Sequence, residues 1–106
     1  MPQITVKGLT DQQMKEISTP LVQKLAEAIG CPKDWLILER CPSVFYAQGR
    51  QVSDLAIFEV SWFDRPDEVR EQVAEIIRDT AQALQYPLVQ VIFTTLYQER
   101  FYEFEM

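Results

Sequence analysis

Proline at position 2 directly follows the initiator Met1 and begins an alternating apolar stretch, Gln3-Ile4-Thr5-Val6. If Met1 is removed, Pro2 becomes a secondary amine at the chain terminus. An α-amino group has a reference pKa of roughly 7.7 to 8.0, and burial or nearby cations lower that pKa. Pro2 would then supply a general base near neutral pH to a chain without histidine. With Met1 attached, the Pro2 nitrogen is an amide without a basic lone pair, and Pro2 only starts an edge strand.

The remaining residues offer little other catalytic chemistry. Without histidine, Ser-His and Cys-His pairs are excluded in their usual forms. Cys31 and Cys41 fall short of any zinc pattern, so we expect two buried or half-buried thiols and no metal site. Three glycines in all do not form a Gly-rich phosphate loop. We therefore expect chemistry that needs neither a metal nor a cofactor.

Composition narrows the class of protein further. A chain of 106 residues that is 47% hydrophobic and 25% charged predicts one globular domain with a modest core, which oligomerisation would extend. The net charge of −6 argues against nucleic acid and against anionic membranes as partners, because both require a basic footprint. We find no membrane-spanning apolar run and no signal-peptide pattern, so the expected compartment is the cytoplasm.

A weak internal repeat organises the chain. At a shift of 55 positions, the segment 25–38 lies over the segment 80–93, and each half reads as a helix end, a turn before proline and an apolar strand. We therefore expect one domain over residues 1–106 with a pseudo-repeat of about 2–47 and 55–104. Each half would be a strand, a helix and a strand.

Two amphipathic helices are predicted. In the first, Thr10 with Gln13 forms a capping box and Gly30 marks the end, whereas the internal Pro20 should kink the helix or split off its first turns. In the second, Pro66 suits the first turn. The apolar stripes of the two helices comprise Met14, Ile17, Leu21, Leu25, Ala28 and Ile29, and then Val69, Val73, Ile76, Ile77, Thr80 and Leu84.

The predicted fold class is α/β (α+β), with two strand-helix-strand units forming a mixed four-stranded sheet and both helices on one face. Strands are expected at 3–7, 35–39, about 43–47, 55–61 and 89–94, with a turn at 48–51. The other face is left uncovered by strands too apolar to face water, which predicts self-association. The aromatic tail 96–104 either adds a strand to a neighbour's sheet or packs on its own subunit.

These features resemble the tautomerase superfamily. The resemblance rests on Pro2 at the start of the first strand, on the duplicated units, and on the run 25–30 followed by Pro32. Members similar to macrophage migration inhibitory factor are closest in length. The resemblance implies a tautomerase/MIF-like fold and a homotrimer whose sheets close into a barrel. It also implies that the proline amine moves a proton between carbon and oxygen of an enol or keto acid, while an arginine holds the carboxylate.

By the same resemblance, Arg65 in Asp64-Arg65-Pro66 matches the family's substrate-binding arginine, and its first-half counterpart is Leu9. Arg40, at a strand end, is a second candidate for binding the carboxylate, and Phe93 is a candidate apolar wall. Each has a plainer interpretation, as a solvated cation for the arginines and as core for Phe93. The cytokine-like members' lysine, tyrosine and asparagine correspond here to Cys31, Val91 and Phe93, which weakens the match.

Three hypotheses follow for the function. The first is a tautomerase/isomerase acting on small enol or keto carboxylates through Pro2, with Arg65 as the carboxylate anchor. The alternative is a non-catalytic trimeric member of the same fold, either structural or binding a small ligand. The third is a ferredoxin-like regulatory module, which would form dimers and would place antiparallel strands beside each crossover.

Overall fold

A computed structural model describes residues 2–106, and the expected removal of Met1 lies outside these described residues. The elements occur in the order β1 (Gln3–Lys7), α1 (Asp11–Ile29), β2 (Ile37–Cys41), β3 (Phe45–Ala47), β4 (Arg50–Val52), β5 (Leu55–Phe63), α2 (Asp67–Ala83) and β6 (Leu88–Leu96). Short 3-10 turns lie at Lys33–Trp35 and Gln98–Arg100.

The main sheet has the strand order β2-β1-β5-β6. Strands β1 and β2 are parallel, as are β5 and β6, and the central pair β1 and β5 is antiparallel. The predicted mixed four-stranded sheet built from two strand-helix-strand units is therefore confirmed. The ferredoxin-like hypothesis is wrong, because each crossover here joins two strands that are adjacent and parallel.

Helix α1 begins and ends at the predicted residues. Gln13 N donates to Thr10 Oγ1 at 3.1 Å and Thr10 N donates to Gln13 Oε1 at 2.9 Å, which completes the capping box. Gly30 ends the helix with a φ of 79°, a left-handed conformation that glycine adopts at little cost. The helix continues through Pro20, so of the two expected effects, a kink or a split, the split does not occur. Proline inside a helix costs about 3 kcal/mol, and burying the stripe that includes Leu21 and Leu25 offsets this cost.

The core lies between the sheet and the two helices. The even-numbered residues of β1 and β5 point to this side and are almost fully buried, as are the inward residues of both helices. The buried set on the strands comprises Ile4, Val6, Ala56, Phe58, Val60 and Trp62. Because neighbouring strands align these side chains in rows, the two helices share one continuous apolar layer.

The opposite face of the sheet is more polar than expected. In its centre Thr5 Oγ1 donates to Glu39 Oε1 at 3.2 Å, and Lys7 Nζ lies 3.2 Å from Glu59 Oε1. The exposed apolar side chains lie on the outer strands, with Ile37 on β2 and Ile92 on β6. In the strands that looked continuously apolar in the sequence, successive side chains therefore point alternately to the buried core and to an outer face that carries both polar and apolar side chains.

Two segments lie outside the main sheet. Strands β3 and β4 pair with each other as a separate two-stranded sheet, so the predicted turn 48–51 is shorter than expected and its last two residues belong to β4. In the tail, the Phe101 ring meets the Phe63 ring edge-on, with centroids 5.4 Å apart. The tail thus packs on its own subunit at Phe101. Within residues 2–106, no helix combines the length and the apolar character that crossing a membrane requires.

Candidate functional site at the start of the first strand

Pro2 is fully buried at one end of the main sheet. Its neighbour Gln3 pairs with Ile37 on one side and with Ser61 on the other. One residue earlier, the same register places Pro2 in a row with Leu36 and Trp62, which are 8% and 1% exposed. Pro2 therefore lies on the helix side of the sheet among apolar side chains.

Arg65 lies at the same end of the sheet, just after β5 ends at Phe63. Its guanidinium carbon lies 5.7 Å from the centroid of the Trp62 ring, and Arg65 Nη1 donates to the Phe63 carbonyl oxygen. A guanidinium above an indole face is attracted by the negative charge of the ring face. Trp62 is therefore in contact with Arg65 and lies beside Pro2 in the sheet.

The acidic neighbours of Arg65 are engaged elsewhere. Thr95 Oγ1 donates to Asp64 Oδ1 at 2.9 Å, and Asp67 Oδ1 pairs with Arg70 Nη1 at 3.0 Å. The ion pairs formed within residues 2–106 do not include Arg65. Its positive charge is consequently not neutralised by a carboxylate of the described chain, and an anionic ligand can use it.

Phe93 lies beside Trp62, with ring centroids 5.1 Å apart and planes inclined at 33°. It pairs with Val60 across the parallel strands β5 and β6 and packs against the core. Both interpretations of Phe93 made from the sequence are thus compatible with its position, since the residue belongs to the core layer and lines the aromatic group around Trp62.

Arg40 lies at the other end of the sheet. It pairs with Val6, and its Nε donates to the Leu9 carbonyl oxygen at 2.9 Å. Val6 lies four positions after Pro2 along β1, which at a rise of about 3.3 Å per residue is roughly 13 Å. Within one chain, the structure therefore brings Pro2 and Arg65 to one end and leaves Arg40 at the other. Phe93 lies between them in the row of Ile4 and Val60, and its ring reaches the Trp62 ring. Leu9, the counterpart of Arg65, is 3% exposed and belongs to the core.

An aromatic cavity of about 310 Å³ opens at the Pro2 end, lined by Trp35, Phe63, Phe101 and Glu103. Trp35 stands two residues before Ile37, and Phe63 stands two residues after Ser61. Phe63 therefore lies one row beyond Pro2 and, by the alternation along β5, on the face of the sheet opposite the Trp62 side chain, whereas Trp35 is the last residue of the 3-10 turn before β2. The cavity is large enough for a small organic molecule with an apolar substituent.

Four aromatic residues at this end of the sheet were not expected from the sequence to belong to the site: Trp35, Trp62, Phe63 and Phe101. A usable signal was the pair Trp62-Phe63 immediately before Asp64-Arg65, since an antiparallel partner strand would bring these residues beside the start of β1. Cys31 and Cys41 are both free and half-buried. Among the residues described, no three His, Cys, Asp or Glu side chains are grouped so that they could hold a metal ion.

The architecture around this site is a tautomerase-like fold. A fused 4-OT asymmetric trimer matches with a TM-score of 0.74 and 18% identity, covering 95% of this chain and 91% of that chain. A macrophage migration inhibitory factor-like protein from Entamoeba histolytica matches with a TM-score of 0.66 and 16% identity, covering 96% and 94%. At these identities the likeness concerns the fold alone.

The chain belongs to the family described as Domain of unknown function (DUF1904), whose model matches residues 1–106. A crystal structure of a DUF1904 domain from Sebaldella termitidis is similar along nearly the whole chain, with a TM-score of 0.91, 28% identity and coverage of 97% of this chain and 95% of that chain. A comparison with curated proteins found no match.

Proposed function

We propose that this protein is a tautomerase/isomerase that acts on small enol or keto carboxylates through the amine of Pro2, once Met1 has been removed. The observation that carries the proposal is the row formed by Pro2 and Trp62, with the guanidinium of Arg65 above the Trp62 ring. A base and a cation at one end of a sheet that also carries an aromatic cavity are the parts that enol chemistry on a carboxylate requires.

The proposed reaction needs only proton transfer. The neutral Pro2 amine accepts the proton of the enol hydroxyl, and the resulting ammonium group delivers a proton to the carbon atom of the former double bond. Arg65 binds the substrate carboxylate by charge-assisted hydrogen bonds and fixes its orientation. The aromatic cavity receives the apolar substituent and limits the access of water. The chemistry needs no metal or cofactor.

The surroundings of Pro2 support its proposed role as a base. Leu36 and Trp62 are apolar neighbours that penalise the charged form of an amine, and the Arg65 cation acts in the same direction. Both effects lower the pKa of the amine below that of the same amine in the unfolded chain. At neutral pH a larger fraction of Pro2 would therefore be in the neutral, basic form.

We also propose that the chain is one domain over residues 1–106 and that it assembles as a cytoplasmic homotrimer. Exposed apolar side chains on the outer strands support self-association, with Ile37 52%, Leu88 51% and Ile92 44% exposed. One solved neighbour of this fold is named as a trimer. Light scattering of the untagged protein should give the mass of three chains, and a monomer mass would contradict the proposal.

The test of the enzyme hypothesis begins with untagged protein, whose mass should lack Met1. Enol-to-keto turnover of phenylpyruvate should then fall in Pro2→Ala, because a flexible primary amine of different basicity replaces the secondary amine that the proline ring holds in place. Pro42→Ala is the control, since Pro42 is exposed and lies in the loop after β2. A retained Met1, or full activity of Pro2→Ala, would contradict the proposal.

A second candidate is a non-catalytic member of the fold that binds a small carboxylate or serves as a structural trimer. The observation in its favour is that Leu9, the counterpart of Arg65, is buried in the core, so the first half supplies no matching cation. Thermal-shift measurements distinguish the candidates, since a ligand that binds only the folded state raises the apparent stability. Stabilisation by benzoate without phenylpyruvate turnover would favour the binder, and no stabilisation would favour the structural role.

A further inference from the structure

Trp62 occupies an unusual position for a core tryptophan. It is 1% exposed, yet one of its neighbours is a guanidinium group, that of Arg65, at 5.7 Å from the ring centroid. The Phe93 ring supports the indole at 5.1 Å. The strand register places Pro2 in the same row. Trp62 therefore contacts the proposed anion-binding group and lies beside the proposed base.

The guanidinium of Arg65 is fixed by groups that leave its charge available. Its contacts are the Trp62 face and the Phe63 carbonyl oxygen, and neither is an acid. A guanidinium has five N–H donors, so one hydrogen bond to a carbonyl leaves several for a ligand. The adjacent Asp64 and Asp67 are held by Thr95 and Arg70. The orientation of Arg65 is thus set by an aromatic surface and a backbone oxygen.

We propose that Trp62 is a positioning residue that holds the Arg65 guanidinium at the Pro2 end of the sheet, ready for a substrate carboxylate. This inference rests on the proposed function, because it assigns the substrate's anionic group to Arg65. A guanidinium that is already oriented loses less side-chain freedom when the ligand binds, so the affinity for the carboxylate is higher. Trp62 touches Arg65 and acts through it.

The kinetic test compares Trp62→Leu with Trp62→Phe and with Phe58→Leu as a control. Phe58 is fully buried on the same face of β5 but lies four residues away, so its truncation disturbs the core without removing the surface under Arg65. Trp62→Leu should raise the KM for phenylpyruvate about tenfold with little change in kcat, and Trp62→Phe should raise it only about twofold. Phe58→Leu should leave KM unchanged. An unchanged KM in folded Trp62→Leu, or an equal rise in Phe58→Leu, would overturn the proposal.

A second measurement does not depend on turnover. In NMR spectra of the ligand-free protein, the Arg65 δ-methylene protons should be shifted upfield by the indole ring, and this shift should disappear in Trp62→Leu. Benzoate, a carboxylate that does not react, should bind Trp62→Leu about tenfold more weakly than the wild type. Benzoate binding without phenylpyruvate turnover would refute the enzyme hypothesis while leaving the role of Trp62 supported.

If Trp62→Leu does not fold, Trp62→Phe decides the matter. Its smaller ring should reduce the upfield shift of Arg65 and weaken benzoate binding about twofold, because a phenyl ring attracts a cation less than an indole does. Unchanged Arg65 resonances together with unchanged benzoate affinity would overturn the proposal.

Discussion

Replacing Gly8 with alanine should destabilise the protein far more than replacing Gly30. Both glycines have a positive φ, 98° at Gly8 and 79° at Gly30, so each alanine incurs the backbone strain of about 1 to 2 kcal/mol. A Cβ at Gly8 would lie 2.2 Å from the Leu55 carbonyl oxygen, whereas a Cβ at Gly30 would have no heavy atom within 4 Å. The clash requires the start of β5 to move away from the end of β1, and this movement adds about 1 to 3 kcal/mol to the destabilisation of Gly8→Ala.

Urea unfolding measures the difference directly. We expect Gly30→Ala to lower the free energy of unfolding by about 1 kcal/mol and Gly8→Ala to lower it by about 3 to 4 kcal/mol. With an m-value of roughly 1 to 1.5 kcal/mol/M, the added loss in Gly8→Ala moves its midpoint about 2 M lower. Both variants must be compared at one protein concentration, because association shifts the apparent stability. If the two free energies of unfolding agree within about 0.5 kcal/mol, the described packing of β1 against β5 is wrong.

Three further predictions concern the site and its support. Arg65→Ala should raise the KM for phenylpyruvate roughly 10- to 100-fold in steady-state kinetics, because a charge-assisted hydrogen bond is worth about 1.5 to 3 kcal/mol, whereas an equal effect of Arg40→Ala would contradict the assignment. Tyr86→Phe should lower the free energy of unfolding, measured in urea, by about 1 to 2 kcal/mol. The reason is that the Tyr86 hydroxyl lies 2.8 Å from the Gly8 carbonyl oxygen and 2.7 Å from Gln13 Oε1. An unchanged urea midpoint would show that these contacts contribute nothing to stability. Phe101→Ala should raise the KM for phenylpyruvate more than that for the smaller enol of pyruvate, because Phe101 lines the aromatic cavity, and equal effects on both substrates would argue against the cavity as the substituent's site.

Local signals made the helices and the sheet predictable. The capping box at Thr10 and the left-handed conformation of Gly30 depend only on residues within one helical turn, and both occur at the predicted positions. Two crossovers then require parallel neighbours, which the structure confirms. Strand β4 was missed because only Val52 among its three residues is apolar. The outcome at Pro20 depends on the burial of a whole helical stripe, which a single residue type does not reveal.

The site was less predictable because it depends on pairing between distant segments. The antiparallel register that sets Gln3 opposite Ser61 brings Trp62 and Arg65 to Pro2, and no local pattern specifies this register. The position of Arg40 in the sheet was easier to predict from the sequence. Parallel β1 and β2 place the carboxyl end of β2 beside Lys7, which is the end remote from Pro2. The expected crossover therefore already argued against a direct contact between Arg40 and Pro2 within one chain.

The most direct test of the account is an NMR titration of the Pro2 nitrogen in untagged protein labelled with ¹⁵N-proline. We predict a titrating secondary amine whose pKa is lower in the folded protein than in the urea-unfolded protein, because apolar neighbours and the Arg65 cation disfavour its charged form. A nitrogen that does not titrate, as in an amide that still carries Met1, would contradict the account. So would an amine whose pKa in the folded protein equals or exceeds its pKa in the urea-unfolded protein.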